Sequence, residues 1–167
     1  MVGPEEFRRT LGWLAGGVTV ISSIDDAGRP VGLTATAVCS VSLEPPLVMA
    51  CVSRGSTTHA AIVASSRFAL NILPASARAL ADRFATGAAD KFAGVDWTAG
   101  SSGCPLLQGA TAVCECSLEE SIAAGDHTIF VGRVEGTHVR VPAGDEPPAL
   151  LYYRGAYAST RPVDETG

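Results

Sequence analysis

Residues 32–48 read Gly-Leu-Thr-Ala-Thr-Ala-Val-Cys-Ser-Val-Ser-Leu-Glu-Pro-Pro-Leu-Val, and they are the strongest indication of the fold. The stretch begins with small residues, continues as an alternation of polar and apolar residues, and stops at a double proline. Because proline does not fit a central strand, Pro45 and Pro46 mark a turn before a strand at 47–52. Small side chains let a flat ligand approach the backbone, although an ordinary hairpin explains them equally well. Four hydroxyl groups offer hydrogen-bond partners: Thr34, Thr36, Ser40 and Ser42.

The composition predicts one domain with an aliphatic core. Of 167 residues, 47% are hydrophobic and only 6% aromatic, while 18 glycines and 10 prolines indicate many turns. The net charge of −5 argues against a nucleic-acid partner. No apolar run reaches the roughly 18 to 20 residues of a membrane span, and the N-terminus does not resemble a signal peptide. Five cysteines, an odd number, fit reduced thiols, so we expect a cytoplasmic protein with no membrane partner.

Periodicity and turn residues predict a mainly β protein with a few helices. We expect strands at 18–24, 30–36, 47–52, 67–73, 110–122, 128–141 and 149–153. We expect helices at 4–15, 56–65 and 76–84, the first ended by Gly16 and Gly17, the second capped by Ser56 or Thr57, and the third capped by Ser76. Residues 25–28, Asp-Asp-Ala-Gly, predict a hairpin turn between the first two strands, and residues 86–104 and 142–148 read as loops. One domain over 1–160 and a disordered tail at 161–167 complete the prediction, and an antiparallel barrel explains it better than a parallel sheet.

Two segments are typical of ligand-binding turns. Residues 51–59, Cys-Val-Ser-Arg-Gly-Ser-Thr-Thr-His, end a strand and open a helix with hydroxyl side chains, which suits an anion but also plain N-capping. Residues 125–127, Gly-Asp-His, precede a valine-rich strand, where a His is more often a satisfied, partly buried side chain than a ligand contact. Taken alone, each segment leaves both readings open.

Two further segments complete the ordered set of motifs. Arg83-Phe84 and, a few residues later, Asp90-Lys91-Phe92 could be core rings and solvated charges. The run Tyr152-Tyr153-Arg154-Gly155-Ala156-Tyr157 could be packing at a barrel edge.

In this order, from about Phe7 to Tyr157, the motifs resemble those of the short-chain flavin reductases. The resemblance implies an FMN-binding split β-barrel of antiparallel Greek-key type. It implies an enzyme that transfers a hydride from NADH or NADPH to FMN or FAD and supplies reduced flavin to a partner monooxygenase. It also implies a homodimer with the flavin near the subunit interface.

The resemblance carries roles to individual residues. His127 becomes the catalytic candidate, which binds and orients the nicotinamide rather than transferring a proton, and Asp126 orients its ring. Arg83 and Lys91 become countercharges to a phosphate, Phe84 and Phe92 walls of the flavin, and Tyr152 and Tyr157 the nicotinamide side. The remaining expected flavin contacts are Gly32, Leu33, Thr34, Ala35, Thr36, Ala37, Ser40, Cys51, Val52, Ser53, Ser56, Thr57 and Thr58.

Other enzyme classes find no support in the sequence. There is no G-x-G-x-x-G after a strand, no G-x-S-x-G, no C-x-x-C pair and no metal-ligand spacing among the Cys and His residues. Two alternatives stay open on the same barrel. One is another oxidoreductase, such as a pyridoxamine-phosphate type oxidase or a flavin-dependent reductase of a bound organic substrate. The other is a non-catalytic flavin-binding module.

Overall fold

Antiparallel β-strands make up most of the computed structural model, which describes residues 1–161. The helices are α1 Pro4–Leu11, α2 Thr57–Ser65 and α3 Arg78–Ala85, with a 3-10 turn at Ala75–Ala77. The strands are β1 Gly16–Gly17, β2 Thr19–Ile24, β3 Pro30–Ala35, β4 Val38–Leu43, β5 Pro46–Ser53, β6 Arg67–Ile72, β7 Trp97–Ala99, β8 Pro105–Leu107, β9 Ala112–Ala124, β10 His127–Val139, β11 Leu150–Tyr153 and β12 Ala156–Ser159.

Seven strands form one antiparallel sheet in the order β3-β2-β6-β9-β10-β5-β4. The sheet curls so that β3, at one edge, comes close to β5 near the other edge. The two edges are not hydrogen-bonded to each other, so a seam remains between them. The predicted antiparallel split barrel is therefore confirmed, with two small sheets, β1-β11-β12 and β7-β8, packed beside it.

The alternation of side chains along the strands produces two apolar layers. On β2, Val20 joins the layer under α3, whereas Ile21 joins the barrel interior. Strand β9 repeats this division, with Val113 in the first layer and Cys116 in the interior. The alternation along β9 therefore gives this strand two distinct faces, and Cys116 is buried in the core.

The barrel interior closes around the fully buried ring of Phe68. A Cβ atom built on Gly132 would lie 2.7 Å from Cε1 of this ring, so the position requires glycine. The ladder between β9 and β10 is irregular between Val131 and Gly132, and again between Val134 and Gly136. Such irregularities bend and twist a strand, which lets two 13-residue strands wrap around a small interior.

Several local predictions are confirmed. The turn at Asp25–Gly28 joins β2 and β3 as a hairpin, with Gly28 in the left-handed region at φ 73°. Ser56 caps α2, because its Oγ accepts a hydrogen bond from the backbone N–H of His59 at 3.1 Å. Pro45 lies in the predicted turn, whereas Pro46 is the first residue of β5 rather than part of the turn, a position where a proline costs no interior ladder bond.

Other boundaries were wrong for reasons of tertiary pairing. Helix α1 ends at Leu11 rather than at residue 15, and Gly16–Gly17 is a strand that pairs with β11. Ser76 does not cap α3, which begins after a 3-10 turn and has no side-chain cap. The expected loop at 86–104 contains β7, and the short strand β12 was not predicted.

Two further predictions concern the C-terminal tail and membrane-spanning segments. Apart from Arg161, the expected disordered tail lies outside the described residues. Within the described part, no helix has the length and apolar character needed to cross a membrane.

A buried carboxylate joins the β7–β8 hairpin to the main sheet. Glu115 on β9 is 2% exposed, and its Oε2 accepts hydrogen bonds from the backbone N–H and the Oγ of Ser102 at 2.9 and 2.8 Å. Its Oε1 lies 3.0 Å from Nε2 of His138 on β10. Burial raises the pKa of Glu115, but the hydrogen bonds from Ser102, His138 and Ser101 outweigh it and lower the pKa to about 2.

We expect this carboxylate to make the fold sensitive to acid. Its ordinary pKa is 4.5, so the stabilisation is complete above that pH and is lost as the pH falls toward 2. A shift of this size corresponds to about 3 kcal/mol. Glu115→Gln should be less stable than wild type at pH 7 but should lose less stability on acidification, as measured by urea unfolding from pH 7 to 3. Glu135→Gln, which changes an exposed carboxylate on β10, is the control; parallel curves for Glu115→Gln and wild type would contradict the expectation.

Candidate functional site

A cleft of about 320 Å³ opens at the seam of the barrel, and we call it the central cleft. The end of β3, the end of β5 and the start of β10 border it, together with the end of α3 and the segment that follows it. The seam thus brings together four segments that are far apart in the sequence. Its lining residues are Leu33, Thr34, Ala35, Thr36, Ala37, Cys51, Ser53, Phe84, Ala85, Lys91 and His127.

The wall formed by residues 33–37 combines small side chains with free backbone donors. Within residues 1–161, the N–H groups of Thr36 and Ala37 donate to no backbone carbonyl, because the chain there has left β3 and has not yet entered β4. The Oγ1 of Thr34 donates to the carbonyl of Ala81 at 2.7 Å, so this hydroxyl ties β3 to α3. This wall offers main-chain donors to a ligand rather than the predicted Thr34 hydroxyl.

Gly32 has a different role from the one that its sequence context suggests. A Cβ atom at this position would lie 3.0 Å from Cε1 of Phe84 and 3.1 Å from the Ile21 carbonyl oxygen. The missing side chain therefore makes room for the Phe84 ring, not for a ligand. Phe84 is fully buried and meets Phe92 edge to face, with ring centroids 4.9 Å apart.

Lys91 acts as a strut on one side of the central cleft. Its Nζ donates to the carbonyls of Gly32 and Phe84 at 3.2 and 3.0 Å, which joins β3 to the last turn of α3. Burial lowers the pKa of this half-buried ammonium group. A cation near the carbonyl end of a helix is also favoured by the helix dipole.

His127 forms the polar end of the central cleft, and the neighbouring Asp126 holds its ring. Nδ1 of His127 lies 2.7 Å from Oδ1 of Asp126, and the hydrogen bond from His127 lowers the pKa of this exposed carboxyl. The Asp126 carbonyl accepts a hydrogen bond from the Arg54 N–H at 3.0 Å, which fixes the turn beside the end of β5. The imidazole thus has a fixed direction, as predicted from the Gly-Asp-His motif, while its role toward a ligand stays a prediction.

At the start of α2, Ser56 is the N-cap, which is the capping role that the sequence allowed. Ser56 Oγ donates to the Ser53 carbonyl at 2.8 Å and accepts from the His59 N–H. Val52 and Thr58 are buried and do not border the central cleft. On the opposite side of the helix turn, Nε2 of His59 lies 2.8 Å from Oγ1 of the buried Thr128. The sequence analysis missed this contact, because nothing local links the two residues.

A larger cleft adjoins the central cleft. It has a volume of about 620 Å³ and shares Thr34, Ala35, Thr36 and Ala85 with the central cleft, and we call it the tyrosine cleft. Its other lining residues are Val18, Arg78, Asp82, Tyr152, Gly155, Ala156 and Tyr157. Tyr152 and Tyr157 meet edge to face with centroids 5.5 Å apart, so the two predicted tyrosines lie together beside the central cleft.

A third cleft, of about 670 Å³, is the aspartate cleft. Three carboxylates border it, from Asp25, Asp26 and Asp90, and its one cation among the described lining residues, Arg29, is bound to Asp25 at 2.8 Å. It is the largest of these three clefts, but its charge makes it a poor place for phosphate groups. Its remaining lining residues are Pro30, Val31, Thr57, Ala60, Ala61, Ala64, Ala89, Phe92 and Ala93.

The predicted site residues therefore divide into two groups. Ten of them border the central cleft, and four more border the other two clefts: Thr57, Phe92, Tyr152 and Tyr157. The other seven border none of the three clefts: Gly32, Ser40, Val52, Ser56, Thr58, Arg83 and Asp126. Arg78 and Asp82 line the tyrosine cleft but were not predicted as site residues, although their i, i+4 spacing on α3 is visible in the sequence.

Comparison with known proteins identifies the family of this arrangement. Residues 11–161 match the family model described as "Flavin reductase like domain". The chain is 41% identical over 162 residues to the reductase subunit of the flavin-dependent monooxygenase HsaB of Rhodococcus jostii, covering 96% of this chain and 80% of that protein. It is 42% identical over 164 residues to an NADH:riboflavin 5'-phosphate oxidoreductase of Streptomyces pristinaespiralis, covering 97% and 91%. It spans about half of a 39% identical probable flavin reductase of Rhizobium meliloti, covering 95% of this chain and 49% of that protein.

Solved structures show the same similarity. A homologue of nitrilotriacetate monooxygenase component B from Mycobacterium thermoresistibile superimposes with a TM-score of 0.89 at 36% identity, covering 98% of this chain and 89% of that one. An NADH:FAD oxidoreductase of Streptomyces globisporus, in complex with NAD and FAD fragments, superimposes with a TM-score of 0.86 at 36% identity, covering 100% and 99%.

The wall of the central cleft makes Gly16 sensitive to substitution. A Cβ atom on Gly16 would lie 2.8 Å from Cβ of Thr36, whereas one on Gly17 would meet nothing within 4 Å. Gly16→Ala should therefore displace residue 36 and lower the free energy of unfolding by about 1–3 kcal/mol, as measured by urea denaturation. Gly17→Ala, at the next position of the same strand, is the control and should leave stability unchanged or raise it slightly. Equal stability of both variants would contradict this account of the wall.

Proposed function

The chain belongs to the flavin reductase-like family, and we propose that it is an NAD(P)H-dependent flavin reductase. In this role it transfers a hydride from NADH or NADPH to FMN or FAD. The observation that carries the proposal is the meeting of residues 33–37, Cys51, Ser53 and His127 at one cleft of the split barrel. Relatives that match most of this chain are named as NADH:flavin oxidoreductases.

The residues of the central cleft fit a flavin. A flat ring system needs walls without bulky side chains, and Ala35 and Ala37 provide such a wall. Its polar edge carries acceptors, for which the free N–H groups of Thr36 and Ala37 are suitable donors. Burial raises the pKa of the Cys51 thiol, and the nearby Cys39 raises it further. This thiol is therefore neutral and adds no charge to the cleft. Phe84 and Ala85 close the side under α3.

The protein contributes binding and orientation. A bound flavin would accept the hydride from the reduced nicotinamide. His127, fixed by Asp126, orients the nicotinamide at the open end of the cleft and moves no proton, because hydride transfer requires no acid. The start of α2, with Ser56 and Thr57, and the cations Lys91 and Arg83 form the proposed phosphate side. Arg83 is exposed and would have to turn toward the ligand to take part.

The direct test is oxidation of NADH and NADPH by the purified protein with and without FMN, FAD or riboflavin, followed at 340 nm. We expect oxidation that depends on added flavin. Flavin binding without any oxidation of NADH or NADPH would favour a binding module. Oxidation of a bound organic substrate, with no flavin reduction by nicotinamide nucleotides, would favour another enzyme on the same barrel.

His127→Ala should raise the KM for NADH much more than the KM for the flavin. The side chain borders the open end of the cleft and its only side-chain partner among the described residues is Asp126. Asp126→Ala keeps the imidazole but removes its anchor, so it should have a smaller effect in the same direction. The measurement is steady-state kinetics with each substrate varied in turn. Equal increases in both KM values would contradict the assignment of His127 to nicotinamide binding.

The proposed reductase delivers its product to a partner monooxygenase and works in the cytoplasm. Support for the first point comes from the Rhodococcus jostii relative, whose name describes a reductase subunit of a monooxygenase. Support for the second comes from the five cysteines, all of which are free thiols as expected in a reducing compartment.

The proposed assembly is a homodimer. Edge strand β4 exposes Val41 and Leu43, which are 53% and 95% exposed, and an unpaired apolar edge is a template for another chain. Helix α1 also contributes no buried side chain in the single chain, although Phe7 and Leu11 are apolar.

Val41→Lys should therefore weaken the dimer, as measured by size-exclusion chromatography with light scattering. The control is Val63→Lys on α2, a position of similar exposure, 54%, that lies away from β4. A wild-type monomer, or equal masses for both variants, would contradict the proposed interface.

A further inference from the structure

One of the residues that line the tyrosine cleft is Arg78, whose guanidinium group is already paired with a carboxylate. Arg78 and Asp82 lie one turn apart on α3, with Nε of Arg78 3.6 Å from Oδ2 of Asp82. The guanidinium carbon of Arg78 lies 5.4 Å from the centre of the Tyr157 ring. The three side chains thus form one cluster on the wall of the tyrosine cleft.

Asp82 is close to both other members of this cluster. Burial raises the pKa of the Tyr157 hydroxyl, and the Asp82 carboxylate raises it further. The negative charge of Asp82 therefore acts on both Tyr157 and Arg78. It neutralises the one cation that the described residues place on this cleft wall.

A nicotinamide nucleotide bound at the central cleft would extend toward the cluster of Arg78, Asp82 and Tyr157. If the nicotinamide ring lies over a flavin in the central cleft, the rest of the molecule has to extend beyond that cleft, which is too small for both ligands. The tyrosine cleft shares Thr34–Thr36 and Ala85 with the central cleft, so it continues the same surface. The aspartate cleft shares no lining residue with the central cleft, and its three carboxylates repel phosphate groups.

We propose that Asp82 is a specificity-determining residue, which occupies Arg78 and thereby selects NADH over NADPH in the tyrosine cleft. The inference rests on the proposed reductase function. NADPH differs from NADH by a 2′-phosphate, and guanidinium groups bind phosphates strongly through charge-assisted hydrogen bonds. With Asp82 present, a 2′-phosphate meets a paired guanidinium and a carboxylate of its own sign. Without this carboxylate, Arg78 is free to bind it.

The experiment compares wild type, Asp82→Asn and the double variant Arg78→Gln/Asp82→Asn. Asp82→Asn should raise the ratio of kcat/KM for NADPH to that for NADH about tenfold, the size of one charge-assisted hydrogen bond. The double variant should lose this gain, because the gain requires Arg78. Both Asp82 and Arg78 are exposed on α3, so neither substitution removes core packing.

A binding measurement supplies a readout that does not depend on turnover. Adenosine 2′,5′-bisphosphate and 5′-AMP are titrated into each variant by calorimetry at low ionic strength. Asp82→Asn should bind the bisphosphate about tenfold more tightly than wild type, with little change for 5′-AMP. Asp26→Asn is the matched control, because it removes the same charge from the aspartate cleft, and it should change neither ratio.

The outcomes separate the inference from the function on which it rests. A wild type that oxidises neither nucleotide in the presence of flavin overturns both. A wild type that oxidises NADH but whose preference is unchanged in Asp82→Asn overturns the inference alone. A gain that persists in the double variant, or that appears equally in Asp26→Asn, also overturns it, because the effect is then one of overall charge.

Discussion

The contact between the ring of Phe68 and the backbone of Gly132 is the constraint on which the barrel depends. Phe68 fills the interior from β6, and β10 can pass over it only because position 132 has no side chain. The ladder irregularity at the same point bends β10 around the ring. Since β10 also pairs with β5, this bend brings the far edge of the sheet back toward β3. The seam, and the cleft within it, follow from this closure.

The elements outside the barrel position the two sides of the seam. Lys91 and the hydroxyl of Thr34 tie β3 to α3, so the wall at residues 33–37 and the side under α3 behave as one unit. On the other side, the capped start of α2 and the Asp126 turn hold the ends of β5 and β10. Each tie is a hydrogen bond that ends on a backbone carbonyl or N–H group. The shape of the cleft is therefore set mainly by main-chain geometry, with side chains supplying the charges.

The features that could be predicted from the sequence are those with a local cause. The β2–β3 hairpin follows from its Asp-Asp-Ala-Gly turn, the start of α2 from the Ser56 cap, and the two faces of β9 from strict alternation. The site residues were predicted from an ordered resemblance, because no single motif is specific. What could not be predicted depends on pairing across long separations. Strand β1 pairs with β11 about 135 residues away along the chain, and Tyr157 on β12 meets Arg78 on α3 across about 80 residues of sequence.

The open seam gives a bound molecule a mechanical role. A ligand in the central cleft touches β3 on one side and β5 and β10 on the other, and β3 pairs with neither of these two strands. Such a ligand acts as a removable cross-link between the two halves of the sheet. By mass action, each tenfold excess over its dissociation constant adds about 1.4 kcal/mol to the stability of the fold. When the ligand leaves, this cross-link is lost, so the resistance of the protein to heat and to proteases tracks the cellular supply of the molecule that it binds.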